Sequence, residues 1–374
     1  MKQVYFDNAA TSYPKPPEVI RTVEKSFRMV GNPGRSSHKL AQRASEIIYN
    51  CRESVANLFS ANADNIVFTM NATQSLNYAI KGLIQNGEHV LIDCFAHNAS
   101  YRPLMELVNH GICTTDIFDS RNTDELESMI KSETSTVILT HQSNISSNVA
   151  NLTLISNICK SHGLKLIVDA SQSAGHIPIN MADTKITALC LPGHKGLFSP
   201  MGVGVLISSD DAVFSTVIEG GAGINSLDIG MPDSLPERLE AGTLPFSAIA
   251  GLSSGIDYIN HIGINTINKK ISSLSDYVYR QLTNYGSVIT YGSCYGSVIS
   301  FNIEGISPSK LGNELADYAI CTRTGYHCAP LAHKTLGSYE NGSVRLSFSH
   351  MNTKHEADIF LNSLEKIIKK YKNA

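Results

Sequence analysis

The sequence predicts an α/β protein with a mainly parallel sheet covered by helices, followed by a smaller α+β region. Between residues 65 and 169, short apolar runs of strand length alternate with helical patterns, which is typical of parallel sheets. After about Leu252 the pattern changes to two long helical segments, short strands and a final helix rich in lysine and glutamate. In such a sheet, ligands bind beyond the carboxyl ends of the strands.

The individual elements follow from this alternation in chain order. Strands are predicted at residues 65–69, 89–93, 113–117, 136–140, 165–169, 186–191 and 203–207. Helices are predicted from residues 74, 101, 124 and 152 onward, and over 253–262 and 266–285. We expect a large domain of residues 15–251, and a small domain formed by 252–374 together with 1–14.

Composition describes an ordinary globular protein. Of the 374 residues, 42% are hydrophobic and 17% charged, and the formal net charge is −3. No basic patch suggests nucleic acid, and no apolar stretch has the length of a membrane span or a signal peptide. The eight cysteines form no C-x-x-C pair, which favours reduced thiols over disulfides or a zinc ribbon. We therefore expect a cytoplasmic protein, with the matrix of an organelle, after removal of a presequence, as the alternative.

Lys195 lies in a glycine-rich loop between two of the predicted buried strands. A lysine held there can lose its proton and form a Schiff base with an aldehyde, although a surface lysine in a turn is the alternative. Asp169 ends another predicted strand, where a carboxylate needs a cationic or donor partner; it could also cap the next helix. The two together indicate a site for pyridoxal phosphate (PLP), whose ring nitrogen stays protonated beside an Asp.

Five motifs stand out in the sequence: Tyr5 to Ser12, Asp169-Ala-Ser-Gln172, Gly193-His194-Lys195-Gly196, Arg238-Leu-Glu240-Ala-Gly242-Thr243 and Arg323-Thr-Gly-Tyr-His327-Cys328-Ala. Together they resemble the class V aminotransferase fold, and specifically its cysteine desulfurase and selenocysteine lyase branch. The resemblance runs from about residue 4 to about residue 360. It implies a fold-type I PLP-dependent transferase, with a seven-stranded type of sheet in the large domain, and a homodimer.

The resemblance also implies the cofactor site. Lys195 would carry PLP, and the other residues expected to hold it are Ala72, Thr73, His97, Asn144, Asp169, Gln172, His194 and, from the neighbouring subunit, Thr243. Thr73 follows a predicted strand at the start of a helix, which suits a phosphate but also a plain helix cap. His97 would stack on the ring, although a lone histidine can be structural. Pro192 and residues 145–148 depart from the family pattern.

Substrate binding is assigned to two arginines and one asparagine. Arg345, and less directly Arg323, would grip the α-carboxylate, with Asn144 assisting by resemblance. The strand face that carries Arg345 could instead be open to solvent.

Cys328 lies in a loop punctuated by glycine and proline, which suits an accessible, reactive thiol. A buried structural cysteine and a metal site with His327 and His333 are the alternatives, but no fourth metal ligand is evident. In the resembling desulfurases this loop carries the cysteine that becomes a persulfide.

The expected activity is a cysteine desulfurase that uses Lys195, Cys328 and His97 to convert L-cysteine to L-alanine and passes sulfur to a protein or small-molecule acceptor. L-Selenocysteine is an alternative substrate. Transamination or β-elimination of another amino acid, or a non-catalytic role in sulfur relay, are further alternatives. We expect no metal, nucleic acid or membrane partner.

Overall fold

The computed structural model describes residues 3–28, 31–33, 38–224, 226–292 and 296–372. Its helices are α1 (Pro17–Ser26), α2 (Lys39–Phe59), α3 (Ala72–Leu83), α4 (Asn98–Asn109), α5 (Thr123–Ser128), α6 (Leu152–Ser161), α7 (Phe246–Ile262), α8 (Ile264–Thr283), α9 (Pro308–Asp317), α10 (Pro330–Thr335) and α11 (Lys354–Lys372). Its strands are β1 (Val4–Tyr5), β2 (Ile66–Thr69), β3 (Glu88–Asp93), β4 (Cys113–Phe118), β5 (Thr134–Thr140), β6 (Lys165–Asp169), β7 (Ala188–Pro192), β8 (Gly204–Ser208), β9 (Val288–Tyr291), β10 (Val298–Ile303), β11 (Ile320–Cys321), β12 (Arg323–Gly325) and β13 (Ser343–Ser347).

A seven-stranded sheet forms the centre of the molecule, in the order β2-β8-β7-β6-β5-β3-β4. Strand β8 runs antiparallel to both of its neighbours, and the remaining pairs are parallel. Strands β2, β7 and β8 are buried along their whole length, as expected for a sheet covered on both faces. The predicted α/β class with a mainly parallel sheet is confirmed.

Helices α3 and α4 begin earlier than the sequence pattern predicted, because polar residues in the preceding loops act as caps. The Asn71 side chain accepts a hydrogen bond from the Gln74 N–H, so α3 starts at Ala72. The His97 side chain accepts one from Ala99, so α4 starts at Asn98. Helix α7 has no side-chain cap and begins at Phe246, seven residues before the predicted start at residue 253. It therefore spans residues 251 and 252, between which the sequence analysis placed the boundary of the two domains.

The first strand of the chain joins the C-terminal part of the molecule. Strand β1 pairs with β11 in parallel, and the Phe6 ring packs 5.1 Å from Phe348 and 6.2 Å from Phe360. Strands β12, β13, β10 and β9 form an antiparallel four-stranded sheet beside this pair. The start of the chain is therefore held next to β13.

Two hydrophobic clusters cover the faces of the central sheet. One contains residues of α2, α6, α7 and α8 and continues into the C-terminal part through α11. The other contains residues of α3 and α4. Among the helices in the described ranges, none is long and apolar enough to cross a membrane.

Candidate active site

A cavity of about 110 Å³ lies at the carboxyl edge of the central sheet, beside the loop that joins β7 to β8. The cavity is lined by eight of the residues predicted to bind the cofactor: Ala72, Thr73, His97, Asn144, Asp169, Gln172, His194 and Lys195. Within this one chain, the fold thus brings together residues from five separate segments.

Close backbone packing fixes Lys195 relative to Asp169. A Cβ added at Gly196 would lie 2.1 Å from the Ala174 carbonyl oxygen, and one added at Gly175 would lie 2.2 Å from the Gly196 carbonyl oxygen. Only glycine permits two backbones to approach this closely. The loop that carries Lys195 is therefore pressed against the segment that follows Asp169.

The environment of Lys195 favours its neutral amine. Burial lowers the pKa of Lys195 to about 8, while the Asp169 carboxylate opposes this shift and Arg345 reinforces it. An amine with such a pKa is present in useful amounts near neutral pH, which a nucleophilic lysine requires. The surroundings of Lys195 therefore suit the Schiff-base chemistry that the sequence analysis expected. They do not suit the alternative, a lysine in a turn on an open surface.

His97 forms part of the cavity wall and also caps α4. Its Nδ1 accepts a hydrogen bond from the Ala99 N–H at 3.0 Å, so the hydrogen of the neutral ring is on Nε2. Burial lowers the pKa of His97 to about 4, although Asp169 opposes the shift. The imidazole is therefore neutral at physiological pH. Its capping role and its predicted stacking on a cofactor ring are compatible.

One end of the cavity suits a phosphate group. The first turn of α3 presents N–H groups that have no partner within the helix, and Thr73 is exposed there. Gly204 of β8 lies against this turn, since a Cβ at that position would be 2.5 Å from the Asn71 carbonyl carbon. The His194 Nδ1 is buried and has no hydrogen-bond partner among the described residues. Anion-binding donors and an unpaired imidazole nitrogen fit the phosphate of PLP.

Asn144 and Gln172 already have protein partners. The Asn144 Nδ2 donates to the His327 carbonyl oxygen at 2.8 Å, and the Gln172 Nε2 donates to the Ala9 carbonyl oxygen at 3.2 Å. Asn144 thus connects the cavity wall to the loop of Cys328, a contact that the sequence did not predict. The predicted contacts of these amides with cofactor and substrate stay predictions.

Arg345 is 3% exposed, and β13 is buried throughout, so the alternative of a solvent-facing strand is wrong. The Arg345 NH2 group forms an ion pair with the Asp7 Oδ1 at 3.0 Å. Arg323 lies directly opposite Arg345 on β12, where two side chains share one face of the sheet. Burial, and to a lesser degree Arg323, lower the pKa of Arg345, while Asp7 opposes this. Two neighbouring guanidinium groups attract an anion such as a carboxylate.

Cys328 is exposed, so the alternative of a buried structural cysteine is wrong. Its loop is held in an unusual conformation, with φ of 48° at His327 and 57° at Cys328, both in the left-handed region. The Asn98 N–H donates to the Cys328 carbonyl oxygen at 2.7 Å. Ala329 and other apolar residues after it pack on Phe95. These contacts fix the loop at the N-terminus of α4.

The two histidines of the metal alternative each have one ring nitrogen beside a protein group. The His333 Nδ1 is 2.7 Å from the Ser338 hydroxyl, and the His327 Nε2 is 3.2 Å from the Ser343 carbonyl oxygen. Among the described residues, no group of three or more His, Cys, Asp or Glu side chains is arranged to hold a metal ion.

Thr243 is not brought to the cavity of Lys195. It is exposed and lines a different, open cavity together with Arg52 and Glu240.

Glu240 and Arg52 form a buried ion pair at 2.6 Å, and Glu240 also accepts a hydrogen bond from the Phe68 N–H. This pair was missed because its partners are 188 residues apart. Asp7 was also missed, although it lies in the opening motif.

Comparison with known proteins agrees with this architecture. The family model of class-V aminotransferases matches residues 4–360. A protein of Methanothermobacter thermautotrophicus named probable cysteine desulfurase is 31% identical over 97% of this chain and 94% of its own length. The apo structure of a cysteine desulfurase from Thermococcus onnurineus superposes with a TM-score of 0.91 at 30% identity, over 98% of this chain and 95% of that one. The cysteine desulfurase CsdA of Escherichia coli gives a TM-score of 0.90 at 26% identity, over 98% and 95% of the two chains. These matches confirm both the resemblance and the fold-type I architecture, and the chain belongs to the class-V aminotransferase family.

Proposed function

We propose that this protein is a PLP-dependent cysteine desulfurase that converts L-cysteine to L-alanine and transfers the sulfur to Cys328. The observation that carries the proposal is the hydrogen bond that connects the cavity of Lys195 to the loop of Cys328. Lys195 and Asp169 share one cavity, and Asn144 in its wall bonds to the loop of the exposed Cys328. The relatives named as cysteine desulfurases support the same activity.

The cofactor residues have separate tasks in this proposal. Lys195 would hold PLP, with Thr73 and His194 at its phosphate. When bound, PLP supplies an electron sink for cleavage at the substrate Cα. Asp169 would keep the ring nitrogen protonated. Once the substrate amine has displaced it from the cofactor, Lys195 would be free to take the Cα proton as a general base, and its lowered pKa of about 8 would keep part of it neutral.

The two arginines assigned to the substrate do not line this cavity, but Arg345 is connected to its wall by a hydrogen bond of 3.4 Å to the Asn144 carbonyl oxygen. Arg345 and Arg323 orient the α-carboxylate. The Cys328 sulfur attacks the substrate sulfur, so an S–S bond forms and the Cβ–S bond breaks. The electron pair of that bond stays with the carbon skeleton, which takes up protons to become alanine. Cys328 is left as a persulfide whose terminal sulfur is available to an acceptor.

A second copy of the chain is the proposed partner. Thr243 would then contribute to the phosphate site of the neighbouring subunit. Leu227 and Ile229, which follow the segment lining the Thr243 cavity, are fully exposed in the single chain, which leaves them available for a partner subunit to cover. We further propose a cytoplasmic location, which is supported by the free state of the seven described cysteines.

Turnover of L-cysteine by the PLP-loaded protein tests the proposal. Alanine and sulfide should form in equal amounts in the presence of a reductant. Cys328→Ala should lose both while keeping the visible absorbance of bound PLP, and the matched control Cys321→Ala should keep the activity. Sulfide release by Cys328→Ala at the wild-type rate would show that Cys328 does not accept the substrate sulfur.

The same assay separates the alternatives. PLP binding without alanine formation would point to another amino acid, found by a screen that includes L-selenocysteine and transamination with keto acids. Failure to bind PLP at all would favour a non-catalytic role.

A further inference from the structure

We propose that Asp7 is a positioning residue that limits how tightly Arg345 holds an amino-acid carboxylate. Its carboxylate occupies one nitrogen of the guanidinium and opposes the positive charge that attracts the substrate. This inference rests on the proposed function only in that Arg345 receives the α-carboxylate.

The contacts of Arg345 leave part of its guanidinium available. The NH2 group is 3.0 Å from the Asp7 Oδ1, and the NH1 group donates a longer hydrogen bond of 3.4 Å to the Asn144 carbonyl oxygen. The Nε atom is buried and has no hydrogen-bond partner among the described residues. A guanidinium has five N–H donors arranged for bidentate binding. By donor count, Arg345 therefore has N–H groups left for a second carboxylate while Asp7 remains in place.

The charges around Arg345 explain what Asp7 contributes. Arg323 lies directly opposite on the neighbouring strand, and Lys195 is close enough that Arg345 lowers its pKa. Asp7 is the carboxylate paired directly with Arg345. Without its charge, the attraction between Arg345 and an incoming α-carboxylate would be unopposed. Substrate and product of the proposed reaction carry the same α-carboxylate, so excessive affinity would slow release of the product.

The backbone of Asp7 is held independently of its side chain. Its carbonyl oxygen accepts hydrogen bonds from the Ala10 N–H at 3.1 Å and from the Tyr5 hydroxyl at 3.2 Å. The adjacent Asn8 side chain donates to the Ser347 carbonyl oxygen at 3.0 Å. A substitution of the Asp7 side chain should therefore leave the segment next to β13 in place, and its effect can be attributed to the side chain.

Binding of L-alanine and ethylamine to the PLP-loaded protein tests this inference. Both amines change the visible absorbance by exchanging with Lys195, but only L-alanine has a carboxylate. Dividing the two affinities therefore removes any effect on Lys195 itself. Asp7→Asn keeps the size and an acceptor oxygen but removes the charge, and it should raise the ratio of L-alanine to ethylamine affinity at least fivefold. Asp7→Glu, which restores the charge, should stay within about twofold of wild type.

An unchanged or lower ratio in Asp7→Asn would overturn the inference. If that variant does not fold, Asp7→Ser removes the charge and serves the same comparison. Steady-state kinetics with L-cysteine should show a lower KM and a lower kcat in the charge-removed variant, whereas a merely structural defect would raise KM. Because the binding test involves no sulfur chemistry, it remains decisive even if the protein proves inactive on L-cysteine.

Discussion

Replacing Gly196 by alanine tests whether backbone packing sets the position of Lys195. The added Cβ would lie 2.1 Å from the Ala174 carbonyl oxygen, so the two backbones must separate by about 1 Å to reach a normal contact. The opposing backbone has little room to yield, because Gly175 is itself in close contact with Gly196. Overpacking of this kind costs about 1–3 kcal/mol of stability. A displacement of about 1 Å at a reacting group lowers rates on the order of 100-fold.

The assay compares Gly196→Ala with Gly286→Ala, where an added Cβ meets nothing within 4 Å. Three quantities are measured for each variant: the ratio of visible to protein absorbance after gel filtration, the melting temperature, and alanine formation from L-cysteine. Gly196→Ala should lose PLP during filtration, melt at a lower temperature and form alanine about 100-fold more slowly, whereas Gly286→Ala should match wild type. Full PLP retention with wild-type activity in Gly196→Ala would refute the argument that this contact positions Lys195.

Three further predictions concern stability and the Cys328 loop. Arg52→Met leaves Glu240 buried without its ionic partner, so the unfolding free energy measured in urea should fall by about 3–5 kcal/mol; a change below about 1 kcal/mol would contradict the importance of this pair. Burial lowers the pKa of His141 to about 4, so the unfolded chain binds its proton first as pH falls below about 6.5. Stability should therefore be lost between pH 6.5 and about 4, and His141→Gln should flatten the slope of melting temperature against pH. Asn144→Ala removes the bond that restrains the loop, and faster alkylation of Cys328 by iodoacetamide is expected; an unchanged rate would show that the other contacts suffice.

The sequence was most informative where a chemical requirement and a strand end coincide. Asp169 ends a run of apolar residues, and Lys195 lies between glycines in the loop that joins β7 to β8, so both could be located before their contacts were known. The apolar runs predicted the seven strands of the central sheet to within about two residues. The apolar pattern failed at the starts of helices, since Asn71 and His97 cap them from positions that resemble loop in sequence.

Contacts between distant segments could not be predicted from local pattern. The ion pair of Asp7 and Arg345 joins residues that are 338 positions apart, and it depends on β1 lying beside the C-terminal strands. The alternation of residues around Arg345 suggested a polar strand face that could meet solvent, but neighbours on both sides bury it. Thr243 lies outside the cavity of its own chain, so its predicted role depends on a second subunit.

A single turnover without reductant tests the central claim most directly. PLP-loaded protein is mixed with one equivalent of L-cysteine, alanine is quantified, and the peptide that contains Cys328 is analysed by mass spectrometry. We predict one alanine per active site and a mass gain of one sulfur atom on Cys328. Formation of alanine while the mass of the Cys328 peptide stays unchanged would contradict the transfer of sulfur to this residue.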